Sequence, residues 1–174
     1  MIRAFQSGDL DTVMQIWLDT NIQAHDFISE KHWGDHLETV KSSLPKAEVY
    51  VYEERNTNQI EGFIGLVGDY IAGIFVRDGA QSKGIGKQLL DYVKKFKSNL
   101  TLNVYQKNVR AMRFYQREAF VLKSESTDES TKEKEFVMVW ERYSILAEKA
   151  GKGKGAENDK SDKRPCNLCV QQRG

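Results

Sequence analysis

The sequence predicts a mixed α/β fold: a twisted, mostly antiparallel sheet of about seven strands with about four helices on its two faces. Apolar residues alternate with other residues in strand-like segments such as 48–53, and elsewhere they recur at helical spacing. A tight turn at Gly68-Asp69 joins two strands as an antiparallel hairpin. A helix separates the strands at 70–76 and 100–105, which makes that pair parallel.

The N-terminal half is predicted to contain two helices between its first and second strands. Asp9 or Asp11 can cap the first helix, and Ser29 and Pro45 mark the limits of the second. The predicted elements are a strand at 1–5, a helix from about residue 10, a helix at 29–43, and strands at 48–53, 60–67 and 70–76.

The C-terminal half alternates helices with strands. Ile85, Leu89 and Val93 recur at helical spacing directly after a glycine-rich turn, which predicts a helix there. The remaining predicted elements are a strand at 100–105, a helix at 109–118, and strands at 120–126 and 135–141.

Composition limits the class of protein. The chain has 174 residues, of which 40% are apolar and 29% charged, which suits one domain with a real core. The net charge of +1 gives no reason to expect binding to nucleic acid. Neither an apolar run of about 18 residues nor a signal peptide is evident, so we expect no membrane association and a cytoplasmic protein. A monomer and a homodimer both stay open.

The last segment of the chain differs from the rest. Residues 143–174 carry seven Lys/Arg and four Asp/Glu, a net charge of +3, and offer little to bury, which predicts a flexible tail after a domain at 1–142. Both cysteines, Cys166 and Cys169, lie there. Such a pair can be redox-active or form half of a zinc site, but the tail has no histidine and no second pair. We therefore expect no metal and an incidental pair.

The turn after the strand at 70–76 reads Gln81-x-x-Gly84-x-Gly86 and runs straight into a helix. Such a turn directs backbone N–H groups and the positive end of the helix dipole at one place, which predicts a phosphate site. A P-loop is excluded because Ile85 follows Gly84, and a dinucleotide fingerprint is excluded because Leu89 replaces its third glycine. An ordinary glycine-rich turn is the alternative.

A second motif follows in the order Asn108-x-x-Ala-x-x-Phe-Tyr115-x-x-x-Ala119-Phe120. Together the two motifs resemble the GCN5-related N-acetyltransferase (GNAT) superfamily, across about residues 1–142. The sequence departs from the family pattern at Ala119, where glycine is usual. The residue at this position ends the helix in the left-handed conformation, which is less favourable for alanine than for glycine by about 1 kcal/mol.

The resemblance implies acetyl-CoA as cosubstrate and assigns residues to it. The loop would hold the pyrophosphate through its N–H groups, with added charge from Lys83 and Lys87. Strand 71–76 would run beside the pantetheine arm, and Gly73 suggests a bulge that opens a slot for it. The implied cosubstrate-binding residues are Ile74, Phe75, Val76, Gln81, Ser82, Lys83, Gly84, Ile85, Gly86, Lys87, Asn108 and Tyr115. Asn108 can equally be a helix N-cap.

The implied reaction is transfer of an acetyl group to a primary amine by direct attack, since the predicted domain has no cysteine to carry the acyl group. The Ile74 N–H would stabilise the oxyanion and Tyr115 would protonate the departing thiolate. Tyr115 can otherwise be a packed aromatic residue. The acceptor is a small molecule, a peptide N-terminus or a protein lysine.

The acceptor side is predicted in the first helical region, with one residue from the hairpin. The candidate acceptor-binding residues are Asn21, His25, Phe27, Trp33 and Tyr70. His25 can serve as the base or can be a polar residue at a helix end. The main alternative to an enzyme is a non-catalytic acyl-CoA-binding or interaction module on the same fold.

Overall fold

The computed structural model describes residues 1–142. The predicted tail at 143–174, with Cys166 and Cys169, lies outside the described residues. Within residues 1–142, no helix is long and apolar enough to cross a membrane. The helices and strands in chain order are β1 (Ile2–Ala4), α1 (Leu10–Ala24), α2 (Glu30–Ser43), β2 (Glu48–Glu53), β3 (Ile60–Val67), β4 (Tyr70–Val76), α3 (Ile85–Lys94), β5 (Asn99–Tyr105), α4 (Val109–Arg117), β6 (Val121–Thr127) and β7 (Lys134–Glu141).

The strands form one sheet in the order β1-β2-β3-β4-β5-β7-β6. Every neighbouring pair is antiparallel except β4 and β5, which are parallel because α3 crosses over between them. The predicted hairpin at Gly68-Asp69 joins β3 to β4, and Gly68 takes a left-handed φ of 60° there. The predicted fold class is confirmed.

Helices cover both faces of the sheet, as predicted. On one face, α1 and α2 bury a core that includes Val13, Trp17 and Trp33. On the other face, Leu89 and Leu90 of α3 pack with side chains of α4 and β5. Burial of these apolar side chains, each contributing about 1.5–3 kcal/mol, fixes the helices against the sheet.

Strand β4 contains a bulge. Gly73 pairs with Gly65 and Ile71 pairs with Leu66, so Ala72 is an extra residue on β4. The bulge predicted from Gly73 is therefore present in β4, and Ala72 is its unpaired residue. Ala72 and Phe75 pack in the same core although they are three positions apart, because the extra residue shifts the alternation of faces by one.

The bulge separates β4 from β5. Only Tyr70 of β4 is paired with β5, through Thr101, and no ladder pair follows along residues 71–76. The two parallel strands therefore diverge toward their C-terminal ends and leave a slot between them. The predicted opening of the sheet at this place is confirmed.

Helix α4 ends as its sequence predicts. Ala119 has a left-handed φ of 66°. The Ala119 N–H donates to Gln116 O at 3.1 Å, and the Phe120 N–H donates to Tyr115 O at 3.0 Å. This is a Schellman motif, and its usual apolar contact is present because the Phe120 and Tyr115 rings lie 5.5 Å apart. The motif fixes Tyr115 at the end of α4.

We expect Ala119→Gly to raise the free energy of unfolding by roughly 0.5–1 kcal/mol, because glycine adopts the left-handed conformation without strain. Ala111→Gly, the same change inside α4, should lower it by about 1 kcal/mol. Urea denaturation of both variants measures the two effects. A loss of stability in Ala119→Gly would contradict the assignment of this helix end.

Candidate active site

A cleft of about 480 Å³ opens where β4 and β5 separate. Its walls are the end of α1, the second half of β4, the loop at 81–84, the first turn of α3, and α4. The predicted site residues that line it are Asn21, His25, Ile74, Phe75, Val76, Gln81, Ser82, Gly84, Ile85, Gly86, Lys87, Asn108 and Tyr115. The sequence thus predicts most of this surface from two separate motifs.

The loop before α3 presents main-chain groups to the cleft. Ser82 and Gly84 have left-handed φ values of 62° and 80°, which turn the chain sharply into the helix. The Gln81 side chain donates to Val76 O at 3.0 Å and ties the loop to the end of β4. Because α3 begins at Ile85, the N–H groups of its first turn have no partner within the helix, which is the arrangement that binds anions.

The charge at the mouth of the cleft differs from the prediction. The Lys87 ammonium lies 2.9 Å from Asp91 and 3.2 Å from Glu118, and these bonds raise the pKa of Lys87. Two carboxylates thus offset the charge that we expected from Lys87. Lys83 is exposed and does not line the cleft.

Arginines of α4 provide positive charge that the sequence analysis missed. Arg110 and Arg117 both line the cleft, and Arg110 lies 3.4 Å from the Ser82 hydroxyl as a hydrogen-bond donor. Their spacing of seven residues, about two helical turns, places both on the same face of α4. That spacing was visible in the sequence once the helix was predicted.

The β3–β4 ladder shows where the backbone groups of β4 point. The Arg77 N–H donates to Glu61 O at 2.9 Å, which makes these two residues a hydrogen-bonded pair. Such pairs alternate along an antiparallel ladder, so Ile64–Ile74 is a non-hydrogen-bonded pair. The N–H and C=O groups of Ile74 and Val76 therefore point away from β3, toward the slot.

Tyr115 lies at the inner wall of the cleft. Its side chain is 5% exposed, and the Phe114 ring packs against it at 5.2 Å. Burial raises the pKa of the Tyr115 phenol above its ordinary value of about 10, so the hydroxyl is protonated at neutral pH, as an unshifted phenol also would be. A protonated phenol facing a cleft can act as a general acid.

Asn108 joins two parts of the site. Its Oδ1 accepts a hydrogen bond from the Ala111 N–H at 3.1 Å, so Asn108 caps α4, as the alternative interpretation predicted. Its Nδ2 lies 3.1 Å from His25 Nε2. The cap does not exclude a ligand, because Asn108 also lines the cleft.

His25 is unsuited to be the general base. Burial lowers its pKa to about 4, so the ring is neutral at neutral pH. The Nε2 atom is nevertheless engaged with Asn108. The rings of Trp33, Tyr105 and Phe27 surround the imidazole at centroid distances of 5.4, 5.3 and 5.7 Å. The imidazole is therefore neutral but only weakly basic, and its Nε2 already contacts Asn108.

The other predicted acceptor residues do not line the cleft. Trp33 is completely buried between Trp17 and His25, so the predicted direct contact with an acceptor is wrong. Phe27 packs against the Tyr105 ring at 5.7 Å. Tyr70 starts β4, at the end of the strand away from the loop.

Further residues of the cleft were not predicted. Besides the two arginines, they are Thr20, Ala24, Val104, Tyr105, Ala111, Phe114 and Glu118. Thr20 and Ala24 lie one helical turn apart on α1, beside Asn21 and His25, so the helical spacing could have identified them.

His25 should make stability depend on pH. The unfolded chain, with the ordinary His pKa of 6.5, takes up a proton more readily than the fold, where the pKa is about 4. The contribution of neutral His25 to the free energy of unfolding is therefore complete above the unfolded-state pKa of 6.5. It declines by up to roughly 3 kcal/mol as the pH falls toward the folded-state pKa of about 4.

We expect the stability advantage of wild type over His25→Phe to shrink across that pH interval. Urea denaturation of both proteins at several pH values measures it. Other titrating groups are common to the two proteins, so curves that run parallel would refute the assignment.

The fold agrees with comparisons to known proteins. The acetyltransferase (GNAT) domain profile matches residues 45–122. The peptidyl-lysine N-acetyltransferase YiaC of Escherichia coli K12 is 33% identical over 142 residues, which is 80% of this chain and 96% of YiaC.

Solved structures show the same fold. The solution structure of apo YjaB from Escherichia coli matches with a TM-score of 0.71 and 24% identity, over 80% of this chain and 95% of YjaB. Spermidine N-acetyltransferase from Vibrio cholerae, in complex with CoA and spermine, matches with a TM-score of 0.63 and 17% identity, over 84% and 97% of the two chains. The chain therefore belongs to the GNAT superfamily and is an acetyltransferase.

Proposed function

We propose that this enzyme transfers the acetyl group of acetyl-CoA to the side-chain amine of a peptidyl lysine by direct attack in a ternary complex. The observation that carries the proposal is the slot between β4 and β5, which opens next to a turn rich in free N–H groups. GNAT acetyltransferases use acetyl-CoA, and this geometry suits a ligand with a phosphate end and a thin, extended arm.

The phosphate end of acetyl-CoA fits the mouth of the cleft. The first-turn N–H groups of α3 would bond the pyrophosphate, and Arg110 and Arg117 would add positive charge from α4. Gly84 suits this turn because its left-handed φ would strain any other residue. Because it has no side chain, a ligand can approach the main chain closely there.

The reactive end fits the inner part of the slot. The Ile74 N–H, which points away from β3, would donate to the acetyl carbonyl as charge develops on its oxygen. One such donor is worth roughly 3 kcal/mol in other acyl transfers. Tyr115, which is protonated at neutral pH, would give its proton to the departing thiolate.

The acceptor amine would enter from the α1 end of the cleft, past Thr20 and Ala24, whereas Asn21 is buried there and donates its amide to Trp17 O. The choice of a peptidyl lysine is supported by YiaC, a relative with that name at 33% identity. With His25 engaged by Asn108, we assign the ammonium proton to water at the open end of the cleft. Direct attack is supported because residues 1–142 contain no cysteine to carry an acyl group.

The alternative, a non-catalytic acyl-CoA-binding module, accounts less well for Tyr115. Binding alone needs no acid, whereas Tyr115 lines the inner wall of the cleft and is fixed there by the Schellman motif of α4. The two variants below separate these functions.

Acetyl-CoA should bind with micromolar affinity, and Gly84→Glu should weaken binding at least a hundredfold. The substitution adds backbone strain and a negative charge at the phosphate site. Calorimetric titration measures both affinities. Gly34→Glu is the matched control, because it makes the same change at an open position of α2. No binding to wild type at millimolar acetyl-CoA would refute the proposal.

Tyr115→Phe should lower kcat by about a hundredfold while acetyl-CoA affinity stays unchanged, because the phenol acts only on the departing thiolate. Thiol release measures turnover with an N-terminally acetylated peptide that has one free lysine. The same peptide with the lysine blocked is the substrate control, and Tyr92→Phe, outside the cleft, is the protein control. Equal turnover in wild type and Tyr115→Phe would favour another acid, whereas no turnover of this peptide by wild type would refute a peptidyl lysine as the acceptor.

A further inference from the structure

His25 and Asn108 are distant in sequence and meet across the cleft. His25 follows α1 directly, and Asn108 begins α4, 83 residues later. His25 Nε2 and Asn108 Nδ2 lie 3.1 Å apart. This contact links the segment between α1 and α2, on the acceptor side, to the helix that carries Tyr115.

The helix cap determines which atoms donate and accept. Asn108 Oδ1 must face the Ala111 N–H, because only an acceptor can cap α4 there. Nδ2, which has only hydrogens to offer, therefore faces His25. His25 Nε2 is then the acceptor and the proton of the neutral ring is on Nδ1, a buried atom that has no hydrogen-bond partner among the described residues.

His25 itself is held rigidly. Its backbone N–H donates to Asn21 O at 3.0 Å, and its carbonyl accepts from the Ile28 N–H at 2.9 Å. The Trp33 ring lies at 33° to the imidazole, whereas the Tyr105 ring meets it edge-on at 78°. These contacts fix both the position and the plane of the acceptor nitrogen.

We infer that His25 is a positioning residue: it accepts one Nδ2 hydrogen of Asn108 and thereby fixes the amide so that the second hydrogen donates into the cleft, toward the pantetheine arm of acetyl-CoA. The inference rests on the proposed function for the identity of that ligand. It assigns His25 to cosubstrate binding, although His25 lies on the acceptor side and is not a base.

Without His25, the side-chain amide of Asn108 could still change its orientation, although it caps α4. The cap fixes Oδ1 by one bond, and the side chain can still rotate about that contact. The bond to His25 adds a second fixed point, and two fixed points determine the plane of the amide. A group held in its bound geometry loses less entropy when the ligand arrives.

The first test is the tautomer of His25 in the wild-type protein. Long-range ¹H–¹⁵N correlation spectra resolve the ring nitrogens of the three histidines, and His25→Gln identifies the His25 signals by their loss. We expect Nδ1 protonated and Nε2 unprotonated at neutral pH. A ring protonated at Nε2, or a mixture of both tautomers, would overturn the inference.

The second test is the pattern of kinetic constants. His25→Leu should raise the KM for acetyl-CoA about tenfold with little change in kcat, since it removes one hydrogen bond that acts through Asn108. His25→Gln, whose side-chain oxygen can accept from Nδ2, should recover most of that loss. His36→Gln is the matched control, because His36 is on α2 outside the cleft. Equal losses in the Leu and Gln variants would overturn the positioning role.

A double-mutant cycle separates positioning from simple packing. Asn108→Ser keeps the helix cap but removes Nδ2, so adding His25→Leu should have little further effect on acetyl-CoA affinity. Additive losses would overturn the inference. Failure of His25→Leu to fold leaves the tautomer measurement to decide. If wild type shows the expected tautomer but no acetyl-CoA binding, the proposed function fails and the cosubstrate role of His25 fails with it.

Discussion

The extra residue in β4 is the feature on which the site depends. A regular strand would keep its ladder with β5 along its whole length, and the sheet would be closed where the cleft now lies. Ala72 shifts the alternation of faces instead, and β4 parts from β5 after the single pair Tyr70–Thr101. The same ladder with β3 leaves the backbone groups of Ile74 and Val76 directed at the gap. One local irregularity therefore opens the slot and leaves these backbone groups lining it.

Helix α4 is fixed at both ends by interactions that also place functional groups. Asn108 caps its start and Phe120 closes the Schellman motif at its end. Between them, Asn108 and Tyr115 are seven residues apart, about two turns, and so face the same cleft. The helix is short, and its end contacts leave little freedom in the position of the phenol. The interactions that stabilise α4 are thus also those that organise the site.

Charge is distributed unevenly along the cleft. Its interior groups are neutral, because burial lowers the pKa of His25 and raises that of Tyr115. Cationic groups lie at its mouth, where Arg110 and Arg117 of α4 are exposed. A ligand with an anionic end and an uncharged arm matches this division, because its charge can stay near water while the arm enters the slot.

The sequence by itself determined the elements, their order and the motif positions. The turn at Gln81–Gly86, the cap at Asn108 and the left-handed Ala119 depend on groups only a few residues apart, so local pattern is enough to predict them. The slot and the bulge beside Gly73 were predicted too, but which residue is left unpaired, Ala72, is set by pairing with β3.

Only the tertiary structure decided what distant side chains do. Lys87 contacts Asp91 one turn along α3, a pair that the sequence spacing allows, and also Glu118, 31 residues away, which only the fold brings to it. Trp33 sits in the core because α1 and α2 pack together, and no spacing within α2 distinguishes that from a pocket wall. The imidazole of His25 is a side chain that commonly serves as a base. It is a partner of Asn108 only because the fold brings the end of α1 to the start of α4. Contacts between residues far apart in sequence, which no local pattern records, set the position of Trp33 and the partner of His25.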